Sequence, residues 1–444
     1  MKGIQLLFGL VAALSLAALL GCGQPEPALD DARRSSSQAE DDGYGSPMVN
    51  RIAYIDNSGD LRLINPDGTA DERLTGDVRA GVLAQALERG DSYNWPTWSP
   101  DGEKLAVSRV SVVGQTPGLS VQLLELPSGR MVSAYENDVP APVADGAAHY
   151  IYWSPDGRYL SFLAPTREGL GLFVRDYQGT DEAATLVVGA PLYYQWAAGL
   201  LAVHSGNRLL LTEPSPDGSQ AYMEVDAAGF RAPALSPDGG QLAYAATEGE
   251  VHGVFVRAVG SPPFDEMQSP RLLMETRSMA AFAWSPDGSA LAVSEQSSPG
   301  SPLFNRLSLV PADGSGASVL VEEDHLAFFW SPSGDRIAWV GVNPATREME
   351  LSVSPVGGGE PRRLFRFSPT GEFFTYLSFF DQYAYSHSLW SPDGSALVMA
   401  GNEGPESGRR NGSGPHGGQI YVVDAGTGEA LRIASGKAAV WSWN

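Results

Sequence analysis

The sequence predicts an all-β fold: a single closed β-propeller of four-stranded antiparallel blades. Three observations predict it. The tetrad Ser-Pro-Asp-Gly recurs behind an aromatic residue at Trp98–Gly102, Trp153–Gly157, Trp284–Gly288 and Trp390–Gly394, with variants at Leu235–Gly239 and Trp330–Gly334. An apolar strand triplet follows each copy, such as Leu105-Ala106-Val107 or Leu291-Ala292-Val293. The two chain ends are complementary fragments of one blade. A supersecondary unit repeated at this spacing sets the architecture, because one unit cannot bury its apolar face alone.

Two degenerate copies complete the set, at Trp196 in YYQWAAGLLAV and at Trp441 in AAVWSWN. The markers then fall at 98, 153, 196, 235, 284, 330, 390 and 441, about 49 residues apart on average, which suits a blade of four strands. Arg51–Thr75 reads as the second, third and fourth strands of a blade with no inner strand before it. Ala438–Trp443 reads as an inner strand with nothing after it. Pairing these ends closes the ring and removes two exposed sheet edges. Counting from that shared blade gives eight; the copy at Trp196, in the fourth, is the most eroded, and without it the count is seven. The fifth blade parses as Phe230–Leu235, Gln241–Ala246, Val251–Val259 and Arg271–Glu275.

The tetrad has a local logic. Proline presets φ, aspartate bonds nearby amides, and glycine takes positive φ. Recurrence at one turn position makes Asp101, Asp156, Asp238, Asp287 and Asp393 structural. Trp98, Trp153, Trp284, Trp330 and Trp390 are expected to pack against the next blade.

The chain carries a formal charge of −23 and one cysteine, Cys22. So acidic a surface repels phosphate backbones, which argues against nucleic-acid binding and favours basic peptides, cations or neutral polymers. A single cysteine excludes an intramolecular disulfide and a thiolate zinc cluster. Residues 1–21 read as a secretory signal: Lys2, an apolar run from Ile4 to Leu20, then Gly21 before Cys22. The segment Leu19-Leu20-Gly21-Cys22 resembles the lipobox of bacterial lipoproteins, which implies lipidation at Cys22 and attachment to a membrane, the outer one favoured by Gly23. Residues 22–49, rich in Pro, Ser, Asp and Glu, read as a disordered tether, and 50–444 as the propeller.

The tryptophan-led tetrads over residues 50–444 resemble the repeats of the TolB-like (WD40-like) propeller family, shared with prolyl oligopeptidase-type propellers. The resemblance implies a periplasmic or surface binding scaffold. An oligopeptidase-like enzyme needs a hydrolase domain after the propeller, and no serine has glycine at both −2 and +2. His149, His204, His252, His325, His387 and His416 include no HExxH pair; only His325 and His387 share strand parity before neighbouring markers. The segment Asp56–Asp60 reads as a hairpin turn rather than a calcium loop. No cofactor is expected.

One stretch escapes the repeat: Phe373–His387, FFTYLSFFDQYAYSH, with four Phe, three Tyr, one Asp and one His. It packs a blade junction, plugs the channel, or forms a peptide or glycan site near the channel mouth, in which case Asp381, Tyr383, Tyr385 and His387 are the candidate ligand-binding residues. The insertion Asn402–Gly418, with Arg409 and Arg410, reads as a surface loop of the eighth blade. The functional expectation is a lipid-anchored, non-enzymatic envelope propeller that binds a protein, peptide or glycan. The alternative is a propeller enzyme, a lyase or hydrolase working at the channel mouth.

Overall fold

A computed structural model describes residues 49–443 except 76–90, 114–115, 127, 138–148, 178–181, 215–219, 225–230, 261–268, 299, 344, 346–347 and 405–416. Cys22, the signal segment, the tether up to residue 48, and Arg409 and Arg410 lie outside the described residues.

Eight blades form among the described residues. Blades 2 to 5 are four separate four-stranded antiparallel sheets. Their inner strands are Ser92–Trp98, His149–Trp153, Leu192–Ala197 and Ala234–Leu235. Blades 6, 7, 8 and 1 are joined edge to edge into one 14-stranded sheet. The joints are Phe304 with His325, and Phe367–Pro369 with Gly401–Glu403. The last strand, Ala430–Trp441, serves two blades: its first half ends blade 8, and its second half is the inner strand of blade 1. There Ile52 pairs with Trp441, Ala53 with Val440, Tyr54 with Ala439 and Ile55 with Ala438, so the two chain ends complete one blade as the sequence predicts.

The blade around Trp196 is complete, which fixes the count at eight rather than seven. Its missing tetrad is replaced by a two-residue hairpin at Ala198 and Gly199, with φ of +46° and +79°, the handedness that short hairpins require. Two inner strands are shorter than expected. That of blade 5 begins only at Ala234, and blade 8 keeps only the bridges Ser388–Trp441 and Trp390–Leu397. Both adjoin the non-repeating segment described below.

The tetrads behave as turns. Each serine hydroxyl donates to its aspartate at 2.5–2.6 Å in blades 2, 3, 5, 6 and 8. The same carboxylate oxygen accepts the amide two residues on, and the serine oxygen accepts the amide five residues on. In the variant at Trp330, Asp335 takes over, accepting from Ser331 at 2.9 Å and Ser333 at 2.5 Å. The serine bond holds the carboxyls of Asp238, Asp287 and Asp393 below their ordinary range, Asp287 at about 2.

The tryptophans correct one expectation: they pack on the preceding blade, not the next. The indole N–H of Trp284 donates to the Ala234 carbonyl at 3.0 Å, Trp330 to Ala283 at 3.1 Å and Trp390 to Phe329 at 3.2 Å. In each case the acceptor is the residue just before the marker of the preceding blade. Trp98 makes the same bond to Val440 at 3.4 Å, across the junction between blade 2 and the shared blade 1. Ring closure therefore uses the contact that holds the internal junctions.

Candidate functional site

The segment that breaks the repeat folds as two helices on the ring axis. α1 spans Gly371–Ser378 and α2 spans Phe380–Tyr383. Pro369 ends the preceding strand, and the Thr370 side chain accepts the Phe373 amide at 3.1 Å as an N-cap. Phe373, Tyr376 and Leu377 are buried, a spacing of three and four residues that defines one face of α1, and Phe380, the first residue of α2, is buried as well. That period is present in the sequence and locates the helix.

The inner strands are shaped to receive it. Three residues before the marker, blades 2, 3 and 4 carry Trp95, Tyr150 and Tyr193, whereas blades 6, 7 and 1 carry Ala281, Ala327 and Ala438. The alanines leave room for the helices on one side, and the aromatics reach in from the other. Trp95 stacks on Tyr383 with ring centroids 4.9 Å apart, and Tyr150 meets the same ring at 4.5 Å. Both sit at register shifts in their strands, with φ of +58° and +51°, a region that bulky residues enter at a cost of about 1–3 kcal/mol each. On the opposite side Phe380 packs against Phe328 at 4.7 Å, and Tyr376 stacks on Phe329 at 5.6 Å.

Polar groups of the segment complete the backbone bonding of the ring. Gln382 Oε1 accepts the Tyr194 amide at 3.1 Å, Asp381 Oδ2 the Ala232 amide at 3.2 Å, and the Tyr385 hydroxyl oxygen the Trp284 amide at 3.1 Å. His387 Nε2 pairs with the Thr97 hydroxyl at 3.2 Å, and the Thr370 hydroxyl donates to the Lys437 carbonyl. The Asp381 bond meets the Ala232 amide ahead of the shortened inner strand of blade 5, a side-chain acceptor where the ladder has not begun. Asp381 also forms an ion pair with Arg231 at 2.7 Å, both side chains almost fully enclosed. Burial pushes the Asp381 carboxyl above its usual range, and Arg231 draws it back. The guanidinium lies over the Phe304 and Phe380 rings at 5.5 and 5.7 Å.

The four candidate residues are thus brought together, but not at a mouth. Asp381, Tyr383 and His387 are 1%, 1% and 3% exposed, and Tyr385 is partly buried. Asp381, Tyr385 and His387 bond the ring, and Tyr383 stacks within it. The arrangement closes the channel instead of offering groups to a ligand.

His325 and His387 do not form a pair of ligands. His325 bonds the Glu323 carbonyl at 2.8 Å and the Ser294 hydroxyl at 2.7 Å. His387 uses its other nitrogen on Ser386 at 2.7 Å. Burial pushes them down to about 4 and about 3, so both are neutral at physiological pH. Among the described residues no group of three or more His, Cys, Asp or Glu could hold a metal ion. His416 lies outside the described residues.

No protein-family model and no curated protein matches the chain. Solved structures do. A dihydro-heme d1 dehydrogenase, in complex with DHE, is 15% identical over 95% of this chain and 80% of its own, with a TM-score of 0.55. A eukaryotic initiation factor is 13% identical over 89% and 99%, with a TM-score of 0.51. TolB from Acinetobacter baumannii is also similar, at 14% identity over 77% and 83% and a TM-score of 0.37. At these identities the likeness speaks for the fold alone. The class defined by fold and axis together is an eight-bladed β-propeller whose channel is filled by its own chain.

Proposed function

We propose that the protein is a lipid-anchored propeller of the cell envelope that binds a protein, peptide or glycan on an outer face, and that it is not an enzyme. The observation that carries this reading is the filled axis. A propeller whose channel is occupied by its own buried side chains has its outer faces left for recognition. The net charge of −23 disfavours nucleic acid as that partner. No helix among the described residues is long and apolar enough to cross a membrane. In this reading attachment comes from acyl chains on Cys22, and about two such chains suffice for stable anchoring.

Fractionation of cells expressing the full chain tests the anchor. Wild type is expected in the membrane fraction and Cys22→Ala in the soluble one; a Cys22→Ala variant retained on membranes contradicts lipidation. Metal analysis of the purified protein tests the metal-dependent form of the enzyme alternative. A stoichiometric transition metal, lost on replacing His325 or His387, would restore the enzyme reading.

A further inference from the structure

Beside blade 1 the axial segment leaves a gap. There the inner strand presents Ala438, Ala439 and Val440 to α1, and a notch of about 20 Å³ remains between them. Its other walls are the rings of Trp95, Phe373, Tyr376 and His387 and the side chain of Glu372. A space of that size holds one water molecule or one ammonium group. It leaves no room for the methyl groups of a quaternary ammonium.

The rings are fixed in place. Trp95 stacks on Tyr383 at 4.9 Å, and Phe373 and Tyr376 are stacked at 5.8 Å with 5° between their planes. The Tyr376 hydroxyl donates to the His387 carbonyl at 2.7 Å. Both nitrogens of His387 are engaged, on Thr97 and Ser386, and its ring is neutral, so it brings no positive charge to the notch. Glu372 is the charged wall. It is half-buried, and among the described residues its carboxylate enters no hydrogen bond or ion pair. Lys437, next to Ala438 in the strand, makes no ion pair with it. An acid in the first turn of a helix is favoured by the helix N-terminus alone. Here it also stands at the edge of a hollow walled by aromatic rings, and a cation is attracted by both.

We propose that this notch binds one primary ammonium group, at the end of a lysine side chain or of a small free amine. The π faces of the rings and the carboxylate of Glu372 supply the attraction, and the size of the hollow selects a primary over a quaternary ammonium. The acidic protein as a whole steers cations toward it. For a lysine source the proposal rests on the binding-scaffold reading and names the group that the partner presents.

Saturation-transfer NMR titrations on the full-length protein in a non-ionic detergent test this. The probes are n-butylammonium, its neutral counterpart N-butylacetamide, tetramethylammonium and Nα-acetyl-lysine amide. Wild type is expected to bind n-butylammonium about tenfold more tightly than N-butylacetamide or tetramethylammonium. Glu372→Gln is expected to weaken n-butylammonium about fivefold. Glu360→Gln, an equal charge change at an exposed position outside the notch, is expected to change it less than about twofold. Ala438→Leu fills the hollow and is expected to abolish binding; the wild-type selectivity needs no variant and stands whether or not that one folds. Equal binding of the amine and its amide, equal binding of tetramethylammonium, or no effect of Glu372→Gln overturns the proposal. Nα-acetyl-lysine amide matching n-butylammonium puts the group on a partner's lysine, and weaker binding by it puts the group on a free amine. None of these outcomes depends on Cys22 or on a metal, so failure of the notch is distinguishable from failure of the scaffold reading.

Discussion

The tetrad turns and the axial segment are both dense in hydrogen bonds, yet they hold the molecule in opposite ways. A tetrad closes on itself, with bonds spanning two to five residues, and six copies share the task. The axial segment bonds ring residues 67 to 290 positions away and exists once. Redundant local bonds make each turn replaceable. A single non-local core makes the blades depend on one another. The difference places the critical residues of this fold where the repeat fails.

The largest effect should come from the axis. Phe380→Ala removes a fully buried ring packed between Phe328 and Phe304, and is expected to lower unfolding free energy in urea by about 3–5 kcal/mol. A loss below about 1 kcal/mol would erase the contrast with the turns. A blade junction should rank next. Trp284→Phe deletes the indole bond to the Ala234 carbonyl and trims a buried ring at the blade junction, which together cost about 1–3 kcal/mol. Trp153→Phe should cost less, because that buried indole N–H has no partner to lose. A reversed order would show that packing, not the indole bond, joins the blades.

A single turn should matter least. Asp287→Asn is expected to cost about 0.5–1.5 kcal/mol at neutral pH. The Asp287 carboxyl is held at about 2 against an ordinary 3.8. An unfolded chain therefore takes up this proton before the folded one does. The stabilisation is complete above about pH 4 and lost as pH falls through about 2. Urea titrations over that window should show a shallower decline for Asp287→Asn than for wild type; equal slopes would mean that the serine bond does not hold the charge.

The same contrast explains what could be read from the sequence. The ring, the shared blade and the structural role of the tetrad aspartates follow from local chemistry repeated in register, so they are legible. Even Asp335 standing in for the missing tetrad aspartate keeps to that local scheme. The fate of Asp381, Tyr383, Tyr385 and His387 was open because their partners, Arg231, Trp95, Trp284 and Thr97, are remote in sequence. Two signals narrow it: the helical spacing of Phe373, Tyr376 and Leu377, and the split of aromatics and alanines three residues before the markers. The bulges that turn Trp95 and Tyr150 inward carry no such signal, since their positive φ is imposed by the packing around Tyr383.

Native-state hydrogen exchange tests the filled axis most directly. The amides of Tyr194, Ala232 and Trp284 donate to side chains of the axial segment: Gln382, Asp381 and Tyr385. If that segment is a permanent core, these three amides exchange as slowly as those within the β-ladders and only through global unfolding. Exchange at the rate of exposed loops would mean that the segment leaves the axis readily, and that the channel is open to a ligand after all.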